Sequence, residues 1–463
     1  MNLIKRIELN YLSDWLQRKS RKPLVIRGAR QVGKSTLVRQ FAEHAGLTLV
    51  TFNLERNPEF QQAFTSQNPQ QILQTLELLS GKRLKGAGTL IFFDEIQSAP
   101  NALACLRYLY EELPHLLIIA AGSLLEFALA DMQYSMPVGR IEYLHLGHLQ
   151  FEDFLFACNE QPLAEYLQQF AFTSKQRQVI PEVVHQKLLD YLKRFWIVGG
   201  MPESVAIYAD TQDFSEVARI QHSIVDTYRD DFNKYAQAKQ NKLVQLVFDQ
   251  LPLQVGRKLK YANISHDYRS TDIANALQQL CLAKIASKVC HSSANGIPLG
   301  AEKNERLFKT LFLDIGLLST ALKLNVLNLR RQDLTLINNG ALAEQFVGQQ
   351  LLYAGNAYQS PELYYWQREA KNAAAELDYV ITHGQRIIPI EIKAGKTGTL
   401  KSLHQFLKEK HLAFGLRFNA DQPSLLQASI NMTDGGQLSY QLLSLPLYLA
   451  GQTQRIVKAC LGE

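Results

Sequence analysis

Cysteine is scarce in this chain. Cys105, Cys158, Cys281, Cys290 and Cys460 are five in 463 residues, an odd number with no C-x-x-C pair. That pattern excludes a disulfide framework and a cysteine zinc cluster, and it fits a reducing compartment, so a cytoplasmic location is expected. Long apolar runs are also missing. The run from Leu116 to Ala121 falls far short of the roughly 20 residues a membrane-spanning helix needs, so a soluble protein without a membrane partner is expected. The N-terminal stretch interrupts every apolar run with a charge, unlike a secretory signal. Its apolar positions Leu3, Ile4, Ile7, Tyr11, Leu12 and Trp15 recur at helical spacing and predict an amphipathic helix. Internal repeats, low-complexity tracts and long linkers are absent too, so closely packed domains are expected.

What is present is an ordinary globular composition, 46% hydrophobic, with length for about three domains at roughly 100–200 residues each. The net charge of +6 is unevenly spread. Residues 1–50 carry +7 and residues 251–300 carry +4, leaving a slightly acidic remainder, so each basic island needs a local cause.

From Pro23 to about Gln150, short apolar runs (PLVIRG, LTLVTFNLE, TLIFFDE, HLLIIAAGS) alternate with amphipathic stretches. Continuous apolar strands are buried on both faces, which predicts an α/β fold with a parallel sheet covered by helices. Residues 151–235 read as helical, and 236–330 as short helices, the turn SSANGIPLG and the strand KTLFLD. The rest reads as a helix followed by the strands LYYWQ, ELDYVIT and RIIPIEIKA.

The strongest local signal is Gly28-Ala29-Arg30-Gln31-Val32-Gly33-Lys34-Ser35, which fits G-x-x-x-x-G-K-[ST] between a strand and a helix, with Thr36 next to it as a further nucleotide-binding candidate. The glycines let backbone N–H groups face phosphates at the positive end of the following helix. Lys34 is expected to reach the β- and γ-phosphates of ATP, and Ser35 to place its hydroxyl on Mg²⁺. The strand Leu90–Phe93 ends in Asp94 and Glu95, at the end of the sheet where ligands bind. Asp94 is expected to hold Mg²⁺ and Glu95 to orient or deprotonate the attacking water. Ser123, ending HLLIIAAGS, reads two ways: a sensor of the γ-phosphate on a strand inserted between the other two, or the N-cap of a capping box completed by Glu126. Arg140 likewise reads as a catalytic arginine, in cis or from a neighbouring copy in a homo-oligomer, or as a plain surface residue.

Beyond single motifs, GARQVGKSTL, LIFFDEIQ, AAGSLLEF and VGRIEYLHLGHLQFEDF resemble bacterial and archaeal AAA-like ATPases with a C-terminal domain of unknown function. The resemblance continues through GGMPESV (199–205), LFLDIGLLS (311–319), GALAEQFV (340–347) and PIEIKAGKT (389–397). It implies a P-loop ATPase core at 1–150, a helical lid at 151–235, a winged helix at 236–330 and a restriction-endonuclease-like α/β domain at 331–463. On that reading the second basic island, with Arg257, Lys258, Lys260, Arg269, Lys284 and Lys288, lies on the winged helix. Its helix, capped by Ser270 or Thr271, carries Asn275 and Gln278 and would contact DNA or serve only for packing.

The C-terminal strands offer a second constellation. Residues two apart on a strand share a face, so Glu391 and Lys393 point one way while Ile392 faces the core. Asp378 on the neighbouring strand and Glu344 from the preceding helix would complete an oxygen cage for Mg²⁺, with Lys393 stabilising charge. This resembles the D…E-x-K pattern of restriction-endonuclease-like folds, with Gln367 in a supporting place; the alternative is a structural Glu391–Lys393 ion pair. Three functions are therefore expected to compete: an ATPase coupled to its C-terminal half, an ATP-regulated Mg²⁺-dependent endonuclease, and a nucleotide-gated DNA-binding module with little hydrolysis.

Overall fold

The computed structural model describes residues 4, 6–84, 86, 88–130, 138–173, 178–232, 238–324, 339–369, 375–395, 399–432 and 436–462. Leu3 of the first helix pattern and Lys5 of the first basic island lie outside them, as do Lys396 and Thr397 of the PIEIKAGKT stretch. Two compact units result. The first comprises residues 1–149 with the short segments 282–285 and 356–360; the second comprises 150–281, 286–355 and 361–463.

In the first unit, α1 (Glu8–Gln17) leads into β1 (Leu24–Arg27), α2 (Lys34–His44), β2 (Thr48–Asn53), α3 (Pro69–Ser80), β3 (Thr89–Asp94), α4 (Pro100–Glu112), β4 (Leu117–Gly122), α5 (Leu125–Ala130) and β5 (Glu142–His145). All five strands are parallel, in the order β2-β3-β4-β1-β5. Of the apolar runs predicted as doubly buried strands, the inner three are so, with every residue of β4 buried and only Asp94 of β3 and Arg27 of β1 not. β2, at the sheet edge, instead alternates buried Val50 and Phe52 with exposed Thr48 and Thr51. Phe93 packs against Phe52 and, edge to face at 5.4 Å, against Phe64, so a layer of aromatic rings fills one face of the sheet. The register sets Arg27 beside Gly122 and Ala121 beside Asp94. Inserting β4 between β1 and β3 thus brings the loop after β1, the residue after β4 and the acidic end of β3 to one sheet edge.

The second unit opens with helices α6 (Phe151–Ala157), α7 (Gln161–Gln169), α8 (Glu182–Val198), α9 (Pro202–Thr211), α10 (Phe214–Asp231), α11 (Ala238–Gln254) and α12 (Ser270–Leu282). Then follow β6 (Ala286–Ser292), β7 (Lys303–Phe312), α13 (Ile315–Ala321), α14 (Asn339–Tyr353), β8 (Tyr364–Gln367), β9 (Glu376–His383), β10 (Arg386–Ile392), α15 (Lys401–Glu409), β11 (Phe414–Asn419), β12 (Ser424–Asn431), β13 (Gln437–Pro446) and α16 (Thr453–Leu461). The eight strands form one mixed sheet, ordered β12-β13-β11-β10-β9-β8-β6-β7. β6 and β7, from the segment expected to be a winged helix, therefore share a sheet with the strands expected to be endonuclease-like, joined by the parallel β6–β8 pair. Asp314 explains why GGMPESV and LFLDIGLLS read as motifs. Its carboxylate caps α13 by accepting from Gly316 and Leu317 and also accepts from the Gly200 N–H at 2.6 Å. Gly199 has φ 70°, and a Cβ there would lie 2.1 Å from an Asp314 oxygen, so only glycine closes this knot.

Candidate nucleotide site and carboxylate cluster

The phosphate-loop residues form a tight curl from β1 to α2. Gln31 and Gly33 both take positive φ, 62° and 89°, which turns the chain back into the helix. Gly28 is required by a close approach: a Cβ there would meet the Leu146 carbonyl oxygen at 2.2 Å. Lys34 begins α2, is 7% exposed, and donates to the carbonyls of Gly28 and Ala29 at 3.1 and 2.7 Å. Burial pushes its ammonium down to about 8, against the pull of Glu95 and Asp94. Ser35 donates its hydroxyl to Asp94, 3.0 Å from Oδ1 and 3.1 Å from Oδ2. Burial raises the Asp94 carboxyl despite that bond. Thr36 accepts from Arg39 at the start of the helix.

Glu95 sits just past β3 in the left-handed region, φ 53° and ψ 49°. Its Oε2 accepts from the Ser123 hydroxyl at 3.2 Å and from the Gln97 amide at 2.7 Å. Of the two readings of Ser123, the hydroxyl's bond is the one toward the acidic strand end. Glu126, its candidate capping partner, is instead paired with Arg27 and with Lys284. Arg140 is half-exposed and pairs with Glu111 of α4 at 2.7 Å.

Three residues here carry no sequence signal of their own. Gln97 and Asn53 hold the two acids, Asn53 donating to Asp94 at 3.5 Å. Arg6 is the larger surprise. Its position in the first basic island suggests a solvated helix face, yet it is 4% exposed. Its guanidinium donates to the carbonyls of Val32 at 2.6 Å, Gly147 at 2.8 Å and His148 at 3.3 Å, and pairs with Glu8. The expectation is corrected: Arg6 precedes α1 and braces the phosphate loop from beneath, a fork of donors matched to carbonyls that converge only in the fold.

The second constellation is also brought together, inside the second unit. The N–H of Ile392 donates to Asp378 Oδ2 at 2.7 Å, and Lys393 Nζ lies 2.6 Å from Glu391 Oε1. Glu344 on α14 and Glu391 on β10 are both buried, and Gln367, opposite Glu376 in the β8–β9 register, accepts from the Tyr365 hydroxyl at 3.5 Å. At the centre stands a residue absent from the sequence reading, Lys309 of β7, 2% exposed. Its Nζ is 2.9 Å from Glu344, 2.8 Å from Glu376 and 4.0 Å from Asp378, and it lies over the Tyr365 ring. Burial alone would lower its ammonium, but Glu344, Asp378 and Glu376 reverse that and raise it. Burial raises the carboxyls of Glu344 and Asp378, and Lys309 works against that rise. Among the described residues, no group of three or more His, Cys, Asp or Glu is placed to hold a metal ion.

Comparison with known proteins agrees with this geometry at the N-terminal half. Residues 20–155 match the model of the AAA domain. The chain carries an AAA domain. Residues 339–427 match a domain of unknown function, DUF4143, and residues 189–328 match another, DUF8612. The resemblance to AAA-like ATPases with a C-terminal domain of unknown function therefore holds. No curated protein matches the chain. Among solved structures it is similar to PCH-2 of C. elegans, at 12% identity and TM-score 0.28, covering 46% of this chain and 65% of that one. It is similar to ORC1 of Aeropyrum pernix, solved in complex with DNA, at 12% identity and TM-score 0.27, covering 70% of this chain and 93% of ORC1. It is also similar to the RuvB Holliday junction branch migration motor of Thermotoga maritima, at 12% identity and TM-score 0.29, covering 69% and 93%. The strand order and the motif residues, rather than these distant likenesses, define the AAA domain as a P-loop fold. No helix among the described residues is long and apolar enough to cross a membrane.

Proposed function

We propose that the AAA domain binds ATP with Mg²⁺ and hydrolyses it to ADP and phosphate. One observation carries this reading: the Ser35 hydroxyl meets both oxygens of Asp94 at 3.0–3.1 Å, with Lys34 at the head of α2 and Glu95 held by Ser123. A hydroxyl and a carboxylate from two separate motifs share one point at the edge of a parallel sheet. That donor set fits Mg²⁺, an oxygen-seeking cation that keeps few protein ligands. Bound there, Mg²⁺ would neutralise charge on the β- and γ-phosphate oxygens.

The chain's own residues do the rest. Backbone N–H groups of the loop from Ala29 to Gly33 face the phosphates, backed by the N-terminal end of α2. Lys34 exchanges its two carbonyl bonds for phosphate oxygens, a better partner for an ammonium that burial already disfavours. Glu95 orients the attacking water and takes its proton, and Ser123 holds Glu95 in place until a γ-phosphate offers the hydroxyl another acceptor. Arg140, paired with Glu111, would reach a phosphate only after leaving that pair, in its own copy or a neighbouring one of a homo-oligomer.

Lys34→Ala should abolish measurable ATP turnover while leaving circular dichroism unchanged. Glu95→Gln should keep nucleotide binding and slow hydrolysis by about 10²–10⁴-fold. Unchanged turnover in Lys34→Ala rejects the assignment.

A second reading, contact with DNA, has one observation in its favour. Arg257, Lys260 and Arg269 are exposed around α12, which presents Asn275 and Gln278 to solvent. Phosphate contacts release counterions, so DNA affinity should fall steeply with salt. Replacing Arg257, Lys260 and Arg269 together should flatten that slope; a slope that stays the same removes these residues from the interface.

A further inference from the structure

The carboxylate cluster of the second unit carries an inference independent of ATP hydrolysis. Four acids meet there, Glu344, Glu376, Asp378 and Glu391, drawn from α14, β9 and β10. Three lysines answer them, each differently. Lys258 is exposed and reaches only Glu376, at 3.3 Å. Lys393 reaches only Glu391, its neighbour along the strand. Lys309 alone is buried and contacts three acids from two elements, with Nζ at 2.8–4.0 Å from their oxygens. A divalent cation bound by carboxylates draws on the same kinds of oxygen, gathered from separate elements around one point, at the shorter range of roughly 2.0–2.6 Å.

We propose that Lys309 is the built-in cation of this cluster: its ammonium stands where Glu344 and Asp378 would otherwise hold a divalent metal, so the site is closed to metal while Lys309 is present. Two further observations bear on it. Lys309 is held from several sides, by the three acids, by the Tyr365 ring at 5.3 Å and by strand pairing to Val289 and Lys258, so it has no solvated alternative. Glu391 Oε2, by contrast, is buried without a hydrogen-bond partner, although Oε1 of the same group is taken by Lys393. An oxygen left unpartnered in the interior is costly, and it gives Glu391 a free acceptor to offer a cation once the place of Lys309 is vacated. Removing the lysine would leave Glu344, Glu376 and Asp378 without their shared partner and Glu391 with a spare oxygen, the donor set of a hard-cation site.

The experiment compares Mn²⁺ binding to the full chain without nucleotide, in wild type, Asp378→Asn, Lys309→Met and Lys309→Met/Asp378→Asn, with thermal melting alongside. Wild type and Asp378→Asn should bind the same number of Mn²⁺ ions. Lys309→Met should gain one Mn²⁺ per chain, lose it again when Asp378→Asn is added, and melt lower without Mn²⁺ than with it. Loss of one Mn²⁺ on going from wild type to Asp378→Asn would overturn the proposal, since the site would then be open beside the lysine. No gain in Lys309→Met would overturn it as well. Should Lys309→Met fail to fold, Lys309→Met/Glu344→Gln, which removes one positive and one negative charge together, should fold without metal. Failure of that pair too would show that Lys309 is more than a counter-charge and would sink the proposal.

Discussion

Two lysines of this molecule sit buried beside carboxylates, and they are in opposite states. Lys34 lies within the electrostatic reach of Asp94 and Glu95, yet its hydrogen bonds go to two carbonyls, and burial leaves its ammonium easier to deprotonate than an ordinary lysine. Lys309 is at least as deeply buried but reaches three carboxylates, which hold its charge firmly. On the two roles proposed above, the difference separates a site that awaits a ligand from a site that has been filled by the protein itself. A lysine left short of anions inside a loop of N–H groups is a standing demand for polyphosphate. A lysine saturated by anions answers a demand that a metal would otherwise answer.

The largest test of that contrast is stability. Removing one partner from a buried ion network leaves uncompensated charge and typically costs about 3–5 kcal/mol. Lys309→Met should therefore destabilise the second unit by about that much at neutral pH. Lys34→Ala should cost little or even stabilise, because it relieves a buried ammonium that has no direct anionic partner. Chemical denaturation of both variants without nucleotide reads the difference. Equal losses would mean that the two lysines are not in different states after all.

Arg6→Ala ranks next, and it sharpens the comparison by asking what holds the open site open. The substitution strips donors from the carbonyls of Val32, Gly147 and His148, of which the first belongs to the phosphate loop. Leaving buried acceptors unmatched typically costs about 1–3 kcal/mol. The expected result is a loss of that size in the first unit together with weaker ATP binding, measured by denaturation and by nucleotide titration. Loss of stability with unchanged ATP affinity would make Arg6 a strut of the sheet edge and no more.

The uneven legibility of these residues has a physical cause. The phosphate loop is a local device, eight consecutive residues whose glycines and lysine must stand at fixed spacing, and it can be read from the chain directly. Asp94 is readable too, because an apolar strand that ends in an acid states its direction. Arg6 and Lys309 act across 26 to 142 and 35 to 69 positions of sequence respectively, so nothing near them announces the role. Lys309 looks like the polar start of the strand KTLFLD, and Arg6 like one more charge in a basic island. The single sheet of the second unit was hidden for the same reason. β6 and β8 pair in parallel with some seventy residues between them, and neither strand's pattern names its partner. Glu344, Asp378, Glu391 and Lys393 could be chosen by alternation and by resemblance, but what occupies the space between them required the fold.

The smallest expected effect is also the most specific to Lys34. In the free protein burial has brought this ammonium down to about 8, from an ordinary value of 10.5. Between those two values the unfolded chain holds the proton more tightly than the folded one, so this group's share of stability rises as pH climbs through the window. Nucleotide reverses the bias, because phosphate oxygens favour the charged form and push the ammonium back up. Binding ATP above pH 8 should therefore take up a fraction of a proton, and binding well below pH 8 should take up none through this residue. Calorimetric titration at pH 8.5 in two buffers of different ionisation enthalpy measures that fraction. The uptake should vanish in Lys34→Arg, whose guanidinium keeps its proton throughout this range, provided the variant still binds. No corresponding uptake is expected from Lys309, whose carboxylates keep it charged whether or not nucleotide is present. A proton taken up equally by wild type and Lys34→Arg would assign it elsewhere and would remove the clearest electrostatic sign that Lys34 is the lysine still waiting for its anion.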